Sequence, residues 1–230
     1  MERNYHYHIA PPASLHPDEL DWRTAFHEAG HAAAIHILNQ QKRLPPVFFE
    51  IQVKRPTKNS DDFLAKVIDG NLIHNLPIAV IESMLPLTEH EQHSCQLAYE
   101  ADIVNLLVGP MSEAKYVAMR DGEIFNRELV NLDAMRHYGG HSDVERAQHY
   151  LEYFVTSKNH RECKLNELLS EAYRFIDNAK HWKCISDLAH FILESRQETV
   201  SCDDAITIFD CSLSAPQHTR WSSSVSFSGR

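Results

Sequence analysis

Residues 17–41 read PDELDWRTAFHEAGHAAAIHILNQQ, and the spacing of their apolar side chains decides how the chain is read. Leu20, Trp22, Ala25, Phe26, Ala29, Ala33, Ile37 and Leu38 recur at three- to four-residue steps, with the strong helix former alanine filling the gaps. The pattern predicts a helix of about six turns, which Leu44-Pro45-Pro46 ends. Inside it lies His27-Glu28-Ala29-Gly30-His31, an H-E-x-x-H pattern. Four residues advance a helix by ~6 Å and ~400°, so both imidazoles leave one face a turn apart and can reach one ion. Glu28 sits ~100° around from His27, beside the pair, where a carboxylate can act as general base toward a metal-activated water. Gly30 costs about 1 kcal/mol of helix propensity relative to alanine, which implies that something packs against the backbone there. Five-letter matches also arise by chance in a chain with 16 histidines, so the helical context carries the weight.

Two histidines leave a catalytic ion short, because such sites take three protein ligands and keep one position open. No histidine follows at the metzincin offset, and Glu50 falls in a predicted strand. Acids or histidines brought in by the fold remain, and Gly139-Gly140-His141-Ser142-Asp143 stands out as a flexible loop running into a helix start.

Around this centre the chain reads as α+β, mainly α with a small β-hairpin or sheet. VFFEIQV at 47–53 and FLAKVI at 63–68 have strand composition, separated by a turn-like KRPTKNSDD stretch. A helix is predicted over about 89–108 and another over 111–119, divided by a break at Gly109-Pro110. NRELVNLDAMRHYGG is open between short helix and loop. SDVERAQHYLEYFVTSK opens on a Ser-Asp start signal, two further helical patterns follow, and a short last helix begins near Ser201. Residues 1–16 read as a flexible arm, 17–211 as one domain and 212–230 as a flexible serine-rich tail.

The 230 residues, 43% hydrophobic and 23% charged, suffice for a self-sufficient core. A formal charge of −10 argues against nucleic acid or an anionic membrane as the main partner. The start lacks a secretory signal, and no apolar run is long enough for a membrane span. Five cysteines with no C-x-x-C pair suggest neither a disulfide framework nor a zinc knuckle, and so a reducing, cytoplasmic setting. His90 and His93 form a lone i,i+3 pair of the kind usually found on a surface. Asp61-Asp62 and Asp203-Asp204 lack calcium-loop spacing and suit turns and caps, while Tyr150, Tyr153 and Phe154 suit a core.

Taken together, TAFHEAGHAAA at 24–34, LLVGPMSEAKY at 106–116, GGHSDVERAQHYLEYFV at 139–155 and the run from Glu171 to Phe209 resemble, in order, the peptidase domain of FtsH-type ATP-dependent zinc metalloproteases. The similarity spans roughly residues 20–210 and implies that family's helical peptidase fold. It also implies a Zn2+ site of His27, His31 and Asp143, with Glu28 as general base. Glu113 is implied as the partner that holds a ligand histidine's tautomer, and a strand near 47–53 as the one that pairs with substrate. The chain departs from the family in lacking a transmembrane anchor and a G-x-x-x-x-G-K-[ST] loop, in having Val108-Gly109-Pro110 where the family has G-G-R, and in carrying His141. A stand-alone zinc metalloendopeptidase acting on peptide or unfolded protein is therefore expected. The resemblance leaves room for a homo-oligomer or a separate ATPase partner. The alternatives are an inactive peptidase-like binding or assembly module that keeps the zinc-site fold, and a zinc hydrolase of small amides.

Overall fold

The computed structural model describes residues 17–55, 64–73, 88–155 and 157–214. The N-terminal arm, Asp61-Asp62, the loop with Pro77 and Pro86, the tail beyond Ser214 and the Tyr153 side chain lie outside the described residues.

The opening helix forms as its periodicity predicts, as α1 (Pro17–Ala33), a π-turn over Ala34–Leu38, and α2 (Asn39–Gln41). Its two sides have different neighbours. Phe26 stacks on Tyr116 and Trp182 at centroid distances of 4.5 and 5.4 Å, whereas His27 and His31 turn away from that cluster. Ala25, Ala29, Ala32 and Ala33 are fully buried. These small side chains let other helices approach α1 closely.

The closest is α3 (Glu89–Arg120), opened by a reciprocal capping box between Thr88 and Glu91. The break expected at Gly109-Pro110 does not occur, and one 32-residue helix replaces the two predicted. Pro110 lacks an N–H for the Leu106 carbonyl, and an interior proline costs about 3 kcal/mol. Burial offsets that cost: every residue from Ala101 to Glu113 is buried, walled by α1 together with α5 (His141–Phe154) and α6 (Lys158–Asp177). Helices in proteins owe most of their stability to such packing rather than to propensity.

The ambiguous stretch after α3 resolves into a 3-10 turn (Arg127–Leu129) and α4 (Leu132–Arg136). The chain then enters α5, with Gly140 rather than Ser142 or Asp143 as its first boundary and no side-chain cap. Helix α7 (Ala179–Glu194) follows α6 and packs on α1. The last helix, α8 (Cys202–Ser214), runs three residues into the stretch assigned to the tail. Ser201 caps it, accepting from Asp204 N–H at 3.1 Å while the Asp204 carboxylate accepts from Ser201.

Strands β1 (Phe49–Lys54) and β2 (Leu64–Asp69) pair antiparallel, as the hairpin reading requires. A third strand, β3 (Thr199–Ser201), joins β1 on its other side, giving the order β2-β1-β3. Phe49, Ile51 and Val53 face the core. β1 is thus central and β2 is an edge. All five cysteines are free, and no helix among the described residues is long and apolar enough to cross a membrane.

Candidate metal centre

His27 and His31 leave α1 one turn apart, with ring centroids 4.8 Å from each other. Asp143 reaches them from the first turn of α5, its Oδ2 lying 3.2 Å from His27 Nε2 and 3.6 Å from His31 Nε2. One ligand atom from each of the three lies within 4.8 Å of the others, and among the described residues this is the group placed to share a metal ion. Tetrahedral ligands at zinc–ligand distances of about 2.0–2.1 Å stand about 3.3 Å apart, so the two separations from Asp143 to the imidazoles fit a small tetrahedral cation.

The donor chemistry fits as well. His31 Nδ1 lies 2.8 Å from the Asn105 carbonyl, which can only accept, so Nδ1 carries the proton and Nε2 presents its lone pair. His27 Nδ1 lies 3.1 Å from Glu113 Oε2, and Arg23 holds the other Glu113 oxygen through Nε at 2.7 Å. Both Nε2 atoms and a carboxylate oxygen thereby converge as acceptors, an arrangement that calls for a proton or a cation in their midst. Burial by itself lowers the His27 pKa, but its bonds to Asp143 and Glu113 and the nearby Glu28 charge outweigh burial and push it up to about 10. Burial likewise raises Asp143, yet the His31 and His27 imidazoles hold it well below the usual carboxylate range.

No protein-family model matches this chain, and no curated protein matches it in sequence at a significant level.

Two glycines make the geometry of the site possible. A Cβ on Gly109 would stand 2.3 Å from His31 Nε2, so only glycine lets the imidazole lie against α3. At Gly30, a Cβ would meet Ser112 Oγ at 2.4 Å, which is the close neighbour its helix cost implied. Gly109 belongs to the site, whereas the sequence reading used it only as a helix break. The signal available was its position beside Pro110 in a buried run.

Glu28 stands beside the pair, and its Oε2 accepts the Val67 N–H at 2.7 Å. This contact corrects the strand expected to pair with substrate. β1, at 47–53 in the sequence reading, has a neighbour on each side and offers no free edge. The Val67 N–H points away from β1, and by the two-residue period of a strand Ala65 and Asp69 share its direction. The outer edge of β2 thus faces the histidines across a cleft of about 490 Å³ lined by Glu28, His31, Ala65, Val67, Asp143 and Arg146. Arg146, one turn after Asp143, drew no notice in the sequence; it donates to Asn71 Oδ1 at 3.2 Å.

Other candidates fall away from the centre. His141 has a 69% exposed side chain and pairs with Glu145 at 3.1 Å, so it is no competitor for the ion. His90 and His93 are exposed, and Tyr150 and Phe154 pack against the core.

Proposed function

We propose that this chain is a zinc-dependent metalloendopeptidase of FtsH-like type, with His27, His31 and Asp143 as ligands and Glu28 as general base. The convergence of the three ligand atoms within 4.8 Å, from residues 116 apart in sequence, carries the reading. Zinc held there supplies a Lewis acid that polarises a carbonyl and lowers the pKa of water to about 7. Glu28, on the cleft wall, takes the proton and returns it to the leaving amine. Glu113 and Asn105 fix the ring orientations of His27 and His31, and Arg23 keeps Glu113 in place. Apart from the Val67 N–H, which Glu28 takes, the outer edge of β2 offers backbone N–H and C=O groups to an extended peptide, a mode that needs an unfolded or unstructured substrate.

The bond from Val67 to Glu28 favours a second reading, in which Glu28 ties α1 to β2 and the centre holds an ion for assembly without hydrolysis. Metal analysis beside cleavage of an unfolded casein-like substrate separates the two. The peptidase reading expects one zinc per chain, turnover in wild type, and a Glu28→Gln variant that keeps zinc while losing about 10²–10⁴-fold in kcat. Equal turnover by Glu28→Gln refutes it, and stoichiometric zinc with no hydrolysis of any peptide favours the assembly reading.

A further inference from the structure

The outer face of the sheet carries a pocket of about 630 Å³ that no step above uses. Lys54, Arg55, Lys66 and Arg196 line it, opposed among the described residues by one acid, Glu198. In a chain of formal charge −10, this is a local reversal of sign. Among the described residues no carboxylate pairs with Lys54, Lys66 or Arg196. Arg55 spends its guanidinium on main-chain oxygens, donating to Leu193 and Ile192 at 3.1 and 2.9 Å, and among the described residues no carboxylate pairs with it. The pocket shares Leu64, Ala65 and Lys66 with the metal cleft, so a ligand running along β2 enters both.

We propose that this basic pocket binds acidic side chains of an extended peptide lying along β2, and so selects the substrate. Val67, which contacts Glu28, is three residues from Leu64, about 10 Å at strand rise. The acidic side chain therefore sits about three residues from the bond opposite Glu28. A peptide suits the pocket better than nucleic acid: among the described residues no aromatic side chain lines it to stack bases, and the surrounding negative charge repels a polyanion.

The cleavage part of this proposal rests on the peptidase reading; the binding part does not. The binding measurement uses fluorescence anisotropy on the Glu28→Gln protein, with an unstructured labelled peptide carrying three aspartates and a twin carrying three lysines. The aspartate peptide should bind at least tenfold tighter, with the advantage shrinking in 0.5 M salt as screening shortens. The double variant Lys54→Glu/Arg196→Glu should abolish the preference, and the milder Lys54→Gln/Arg196→Gln should halve its logarithm should the reversal fail to fold. Equal binding of the twins, a preference that survives charge reversal, or stronger competition by a single-stranded oligonucleotide overturns the proposal. So does a gain of preference on neutralising Asp61 and Asp62, since the chain's own segment would then be the occupant. In wild type, an acidic pair scanned along a cleavable peptide should lower KM with little change in kcat when placed two to four residues from the cut bond. Discrimination in binding with no cleavage refutes the peptidase alone, and cleavage with no acidic preference refutes the pocket alone.

Discussion

Gly109→Ala tests the proposed metal centre at a position that is not itself a candidate ligand. The added Cβ would lie 2.3 Å from His31 Nε2, against about 3.4 Å for an ordinary contact, so some 1.1 Å must be found (3.4 − 2.3). Metal–ligand distances tolerate about 0.2 Å, so the imidazole must rotate or α1 and α3 must part. Either change moves Nε2 off the shared point or strains the Nδ1 bond to Asn105. Loss of one ligand should weaken zinc binding by more than the 10–100-fold typical of partners that only orient a ligand. Propensity pulls in the opposite direction, since alanine in a helix interior is favoured by about 1 kcal/mol over glycine, while overpacking costs about 1–3 kcal/mol. The expected signature is a fold that persists, with thermal stability of the chelated protein changed little, and zinc affinity lowered beyond 100-fold in a competitive chelator titration. Wild-type zinc affinity in Gly109→Ala would refute the proposal that His31 Nε2 is a ligand.

Glu113→Gln should keep the fold and lower zinc affinity about 10–100-fold, read by the same titration, because the carboxylate that orients His27 becomes a neutral amide. Zinc uptake at pH 7.5 should release close to one proton, measured by titration calorimetry in buffers of different ionisation enthalpy, because the metal-free His27 pKa is pushed up to about 10 and the ligand form is neutral. In the chelated protein the same shift stabilises the fold fully below the unfolded value near 6.5 and is lost as pH rises through about 10, so Tm should fall across that window. Asp102→Ala should destabilise by about 1–3 kcal/mol in urea titration, because the buried carboxylate accepts the Leu72 and Ile73 N–H groups, both at 3.0 Å.

Periodicity was a good guide where one stretch of chain settles its own conformation. The helix through His27 and His31, the hairpin of β1 and β2, and the Ser201–Asp204 start of α8 all follow from local spacing and caps, and the structure has them. Local chemistry misled at Pro110, where propensity predicts a break and burial on all sides of α3 keeps the helix whole. It also assigned the start of α5 to Ser142-Asp143, whereas Asp143 is turned to the histidines instead of capping. β3 escaped notice because three residues carry no periodicity, and the register Gln52 to Thr199 is a distant pairing.

What the sequence determined by itself is the one-turn spacing of two imidazoles with a carboxylate beside them, because a helix fixes the relation of residues i and i+4 whatever surrounds it. Through resemblance it also pointed to Asp143 and Glu113. Only the tertiary structure decided that Asp143 Oδ2 comes to 3.2 Å from His27 Nε2, that Glu113 and Asn105 turn the two rings, and that Gly109 makes room for His31. These are contacts between residues 74 to 116 apart, set by how α1, α3 and α5 pack together, and no local pattern encodes such a distance.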